Sequence, residues 1–280
     1  MPLQGLRLVM RTLGRTSPAI ATQLAFRLFF RTQRFQPHAR EAGLLARAQR
    51  IDVSRAGGGR LAAWTWGQRG PTVLLVHGWS GRGAQLGAMV DPLLDAGFRV
   101  VTFDAVGHGQ SSGERATLVD IAEDVRTIER ASGPFHAIVA HSAGSPCSAM
   151  ALLSGVEASR LVMVAPPLSA AGFLDTFSAM VGVEDTLKPL LRQRVEASVG
   201  VDFDELDMRH IAHGLSLPAL VVHDVDDREV SFDKGVKVAR AFGATLHTTS
   251  GLGHHRILRD PQVIDTIVEF VRQPLEQQEA

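Results

Sequence analysis

Short apolar runs and longer amphipathic stretches take turns along most of this chain. Val73-Leu74-Leu75-Val76 is apolar throughout, as a strand buried on both faces requires. Arg99-Val100-Val101-Thr102-Phe103, Phe135 to Ala140, Leu161-Val162-Met163-Val164, Leu217 to His223 and residues 244–249 repeat the signal. Two earlier segments, 49–55 and 60–66, read as short strands joined by a turn at Gly57-Gly58-Gly59. Between the strands the spacing becomes helical. Residues 84–96, 117–131, 143–154, 233–242 and 261–272 are expected helices, the second carrying Leu118, Ile121, Val125 and Ile128 on one face. Pro146 is tolerable in the helix 143–154 because it falls in the first turn.

This alternation predicts an α/β fold, with a mainly parallel sheet and helices on both faces. It breaks over residues 168–213, which read as helical without an apolar strand, an insertion over the sheet. The chain thus divides into an N-terminal basic amphipathic helical extension, 1–47, a first core part, 48–167, a helical lid insertion, 168–213, and a second core part, 214–280.

Charge alters the picture only at the start. Lys+Arg and Asp+Glu both number 29, so overall attraction to nucleic acid is not expected. Residues 1–50 nevertheless hold Arg7, Arg11, Arg15, Arg27, Arg31, Arg34, Arg40, Arg47 and Arg50 against the single acid Glu41. The apolar run Ile20–Phe30 is interrupted by Arg27 and is too short to span a bilayer. Residues 1–43 therefore allow a helix packed on the main domain or a partner, a helix lying peripherally on a membrane surface with its arginines at the headgroups, or a transit peptide. The lone cysteine, Cys147, excludes an intrachain disulfide and fits a reducing, cytoplasmic setting. There is no tyrosine to act as an acid or oxyanion donor.

In parallel sheets ligands bind beyond the carboxyl ends of strands, and the candidate chemistry of this chain lies there. Ser142 follows the strand ending at Ala140 and precedes a helix, in the pattern Ala140-His141-Ser142-Ala143-Gly144. Small flanking residues suit a nucleophile on a strained turn, and Ala140 stands where glycine is usual. A serine hydroxyl needs a base to take its proton and a third group to orient that base. His254, after Gly251-Leu252-Gly253, is the expected base, with His255 its competitor. Asp227 is the expected acid, with Asp224 and Asp226 as alternatives in the same loop. The oxyanion donors expected are the backbone N–H groups of Ala143, at a helix N-terminus, and Trp79, after His77-Gly78. His210 and His213 have a metal-pair spacing but no further ligand, so neither metal nor cofactor is expected. Arg82 is read as a surface arginine, or as a partner for an acidic group on a substrate.

Taken together, His77-Gly78-Trp79, Asp104 with Gly107-His108-Gly109-Gln110-Ser111, His141-Ser142-Ala143-Gly144, Asp227 with Val230, and Gly253-His254 resemble the α/β-hydrolase superfamily over roughly residues 48–275. The resemblance is to its serine-nucleophile, esterase- and lipase-like branch, since serine rather than aspartate stands at 142. It implies an eight-stranded, mostly parallel sheet, a lid after the sixth strand, no cofactor, a structural role for the loop at His108, and a small-molecule acyl ester as substrate. Thioester or carbon–carbon hydrolysis, and a non-catalytic binding protein keeping the fold, are the alternatives.

Overall fold

The computed structural model describes residues 3–274. Eight strands form one sheet: β1 (Gln49–Ser54), β2 (Arg60–Trp66), β3 (Thr72–Val76), β4 (Arg99–Phe103), β5 (Ala137–His141), β6 (Leu161–Val164), β7 (Ala219–Asp224) and β8 (Thr245–Thr249). Their spatial order is β1-β2-β4-β3-β5-β6-β7-β8. The β1–β2 and β2–β4 pairings are antiparallel and the others parallel.

Burial follows position in that order. The strands β3, β5, β6 and β7 are buried at every residue, whereas the edge strands β1 and β8 carry exposed positions. A strand's side chains alternate between faces, so its apolar run feeds two cores. Leu74, Val76, Ile138 and Ala140 join one core with Ile121, Val125 and Ile128 of the helix Leu118–Ser132. Val73, Leu75, Ala137 and Val139 join the other with Leu86, Met89 and the Ile264 and Ile267 face of the helix Pro261–Arg272.

The segment expected as one helix over 84–96 is divided into a 3-10 stretch, Gly83–Met89, and an α-helix, Val90–Asp95. Gly83 is pressed so close to β4 that a Cβ there would lie 2.5 Å from Thr102 Oγ1, which fixes the entry of the chain before Pro92. Between β6 and β7 the helices Ala170–Val181, Lys188–Val199 and Met208–Ala212 follow one another without a strand.

The N-terminal residues form helices Leu3–Thr16, Pro18–Phe29 and Ala39–Ala46. The inward face of the first two, with Met10, Ala21, Ala25 and Phe29, builds a third core with Leu174, Phe177, Leu191 and Val195 of the inserted helices. Arg7 Nε donates to the Met180 carbonyl at 2.8 Å, and Arg15 pairs with Glu184 at 3.2 Å. Among the described residues no helix is long and apolar enough to cross a membrane.

Candidate active site

β5 ends at His141, and the next residue, Ser142, has φ 50°, a left-handed conformation that costs a non-glycine residue about 1–3 kcal/mol. The turn is held on both sides. Ser142 N–H donates to Val164 O of β6 at 2.9 Å, and Ser145 N–H donates back to Ser142 O at 2.9 Å as the helix Gly144–Leu153 begins.

Two glycines let the end of β3 touch this turn. A Cβ at Gly144 would stand 2.6 Å from His77 O, and one at Gly78 would stand 2.9 Å from Ser142 Cβ. Gly78 therefore lies against the serine, with Trp79 next in the chain. The N–H groups of Trp79 and Ala143 donate to no backbone carbonyl among the described residues. Both N–H groups lie within the two segments that meet at this turn, Trp79 directly after Gly78 and Ala143 directly after Ser142.

The acid and base expected from the sequence come together. His254 Nδ1–H donates to Asp227 Oδ2 at 2.7 Å, both side chains being buried. The other oxygen, Oδ1, accepts the N–H groups of Glu229 at 2.8 Å and Val230 at 2.9 Å. His223 Nε2–H donates to Val230 O at 2.9 Å and lies 3.5 Å from Asp227 Oδ2. Burial alone would raise the Asp227 carboxyl; the hydrogen bonds from His223, His254 and Val230 outweigh it and hold the group well below the usual carboxylate range. Asp227 is thus a fixed anion behind the imidazole.

The neighbouring aspartates have other work. Asp224 Oδ2 accepts from Thr249 Oγ1 at 2.7 Å and Leu252 N–H at 3.0 Å, and Asp226 Oδ2 accepts from Gly251 N–H at 2.8 Å. Both tie down the segment that carries His254. That segment was expected to be a loop; residues Gly253–Arg256 instead form one helical turn with His254 inside it. His255 points elsewhere, meeting Glu229 at the surface at 2.8 Å. Among the described residues His254 is hydrogen-bonded through Nδ1 to Asp227, and no hydrogen bond joins it to Ser142 Oγ.

Sequence reasoning missed His141. Its Nε2–H donates to the His254 carbonyl at 3.0 Å, and the two rings lie 4.7 Å apart. Burial, and then the nearby His254, lower its pKa to about 3, so it stays neutral and keeps that donor. A histidine closing an apolar strand, immediately before the serine, was the available signal.

Arg82 is neither on the surface nor open to a substrate. It is buried against Glu41, with Nε–Oε2 at 2.7 Å and Nη2–Oε1 at 2.9 Å. The acidic partner lies in the N-terminal helix Ala39–Ala46, a pairing that sequence distance conceals. The loop after β4 is knit to the same region: Asp104 accepts from Gly83 N–H at 2.8 Å and Gln110 N–H at 2.7 Å, while His77 Nε2 accepts Ala105 N–H at 3.0 Å. His108 lies buried beneath Trp79, its ring centroid 5.6 Å away.

Among the described residues no cluster of three or more metal-ligating side chains occurs, and His210 and His213 are both exposed. An open cavity of about 710 Å³ lined by Arg40, Arg47, Asp91 and Arg259 contains none of Ser142, Asp227 and His254.

Comparison with known proteins agrees with this architecture. An esterase from Pyrococcus furiosus, Pf2001, superposes with TM-score 0.67 at 18% identity, covering 86% of this chain and 98% of its own. A putative lipase from Acinetobacter baumannii AYE gives 0.63 at 18% identity, covering 83% and 93%. An esterase from Exiguobacterium antarcticum gives 0.62 at 17% identity, covering 80% and 100%. No curated protein sequence matches the chain. The sequence model for the alpha/beta hydrolase fold matches residues 71–241, more than half the chain and including the turn at Ser142, and the chain therefore belongs to the alpha/beta hydrolase family.

Proposed function

We propose that the protein is a serine hydrolase that cleaves carboxylic esters through an acyl-enzyme. The observation that carries this reading is the short contact between His254 Nδ1 and Asp227 Oδ2, 2.7 Å, on a segment that His141, the neighbour of Ser142 on its strained turn, holds through the His254 carbonyl. Asp227 holds the imidazole with its proton on Nδ1, which leaves Nε2 as the base. Nε2 takes the Ser142 hydroxyl proton as Oγ attacks the acyl carbon. The N–H groups of Trp79 and Ala143 stabilise the resulting oxyanion. Collapse of this intermediate breaks the bond to the alcohol, whose oxygen receives the proton from Nε2. A water then attacks the acyl-enzyme by the same route, giving its proton to His254 and releasing the acid and free Ser142. Esterase and lipase neighbours share the fold, which is consistent with this reading.

An organophosphonate probe tests the proposal. Labelling of the wild type, lost in Ser142→Ala, is expected; absence of labelling, or equal labelling of the variant, would sink it. A panel pairing each ester with its thioester then separates ester from thioester preference.

A further inference from the structure

The apolar run over residues 20–30 is turned inward. Ala21, Ala25, Phe29 and Phe30 are buried in the third core, and Leu24, Phe26 and Leu28 pack against it. Ile20 is the exception: on the helix Pro18–Phe29 it is 57% exposed, and on the helix before it Leu8 is 68% exposed. These are the two most exposed large hydrophobic side chains among the described residues, and five of the ten such side chains lie between Leu3 and Phe35. Scattered surface apolar residues need no explanation, but their concentration on one short segment does.

The charge around them is of one sign. Leu8, Arg11 and Arg15 stand three and four residues apart, on one side of the first helix; Ile20 and Arg27 share a side of the second, with Arg31 just past its end. Glu41, the one acid in residues 1–50, is buried and bonded to Arg82, so the segment shows no carboxylate of its own to solvent. Acids on the neighbouring inserted segment are engaged as well, Glu184 with Arg15, and Asp175 and Asp185 with Lys188. Arg15, Arg47 and Arg50 have ion-pair partners, whereas Arg11, Arg27 and Arg31 form none among the described residues. Arg194 of the inserted helix Lys188–Val199 lies over the Phe26 ring, 5.2 Å from its centroid, and adds a cation against the second helix.

A nucleic acid would answer these arginines and leave Leu8 and Ile20 in water, while an apolar protein groove would take the aliphatic side chains and leave guanidinium groups unmatched. An anionic bilayer answers both, its acyl boundary taking the aliphatic side chains and its phosphates the arginines, whose long stems reach the headgroup level. We propose that the outward surface of the helices Leu3–Thr16 and Pro18–Phe29 docks on an anionic membrane, with Leu8 and Ile20 at the acyl boundary and Arg11, Arg27 and Arg31 on lipid phosphates. The inner face of the two helices then holds them to the inserted helices, and the outer face holds the protein to lipid. This assignment is independent of the bond the candidate site cleaves.

Sedimentation of the full chain with vesicles tests it. Vesicles of three parts phosphatidylcholine to one part phosphatidylglycerol are expected to carry the protein down at low salt and to release most of it as salt screens the charges. Each arginine near such a surface contributes about 1 kcal/mol, a factor of about five, so the triple variant Arg11→Gln, Arg27→Gln, Arg31→Gln should bind about a hundredfold more weakly. Leu8→Gln with Ile20→Gln should bind the same vesicles at least about tenfold more weakly. All five positions are exposed, and thermal melts check that both variants are folded. Wild-type protein left in the supernatant by the mixed vesicles overturns the proposal, as does equal binding to phosphatidylcholine alone or binding undiminished in both folded variants. Weakened binding in only one variant also overturns it: loss in the arginine set alone is what a site for a soluble polyanion would show, and loss in the aliphatic pair alone is what a charge-blind apolar contact would show.

Discussion

His141 donates its Nε2–H to the carbonyl oxygen of His254, 3.0 Å away, so the residue before the proposed nucleophile steadies the backbone of the proposed base. His141→Phe keeps an aromatic ring against His254 but removes the donor. A neutral hydrogen bond contributes about 0.5–1.5 kcal/mol, so kcat is expected to fall by roughly twofold to tenfold with KM little changed. An equal rise in KM instead would mean that His141 shapes substrate binding.

Asp227 and Asp226 are neighbours with separate duties, and their amide variants should diverge. Asp227→Asn is expected to lower kcat by about 10⁴, because the amide no longer enforces the tautomer with Nδ1 protonated. Asp226→Asn keeps an oxygen to accept Gly251 N–H and loses only the charge on that bond, so it is expected to stay within about tenfold of wild type. Steady-state kinetics on a short-chain ester checks both, and comparable losses would contradict the assignment of Asp227 as the acid.

Three buried histidines tie stability to pH. Burial lowers His77 from 6.5 to about 4, and His108 and His141 from 6.5 to about 3. The unfolded chain therefore binds more protons than the folded one in that window. The stability they contribute is complete above pH 6.5 and is lost as pH falls towards the folded values, by up to about 1.4 kcal/mol per pH unit for each group. Asp124, raised by burial to about 6, and Asp104, raised by burial as well, bind protons more readily when folded and offset part of the loss at lower pH. Urea midpoints should fall clearly between pH 7 and pH 5, roughly in line with one or more protons taken up on unfolding. A flat midpoint over that range would contradict the prediction, meaning that the histidine contribution does not exceed the opposing one from Asp124 and Asp104.

The Glu41–Arg82 pair joins the N-terminal helices to the segment after the proposed oxyanion loop, with side-chain exposures of 7% and 6%. Arg82→Met strands a buried carboxylate and is expected to cost about 3–5 kcal/mol in urea unfolding. Glu41→Leu with Arg82→Met removes both charges and is expected to recover most of that loss. If the double variant is no more stable than the single one, the pair is holding geometry that apolar packing cannot replace.

Much of the fold was legible because buried parallel strands leave little choice of residue. Val73–Val76 and Leu161–Val164 announced themselves by composition, and each strand end then showed where polar chemistry would gather. The pairing of Asp227 with His254 was readable because Gly253 and Val230 frame the two residues locally. What escaped were the links between distant segments. His141 looked like one more strand residue, and Arg82 could not be matched with Glu41 without knowing that the helix Ala39–Ala46 returns to it. The split of 84–96 falls just ahead of Pro92, which has no N–H to continue a helix from the preceding turn, a local signal that the apolar spacing overrode.

Among the described residues Ser142 is one of three non-glycine residues with positive φ, the others being Ser80 at 54° and Ala165 at 51°, and each follows a strand of the central sheet at its carboxyl end. The non-glycine residues held in a left-handed conformation are therefore gathered, among the described residues, along the rim of the sheet that carries the candidate site. Glycine would relieve the backbone cost at Ser80 or Ala165, but at Ser142 it would remove the proposed nucleophile together with the strain, so at that one position relief and reaction exclude each other.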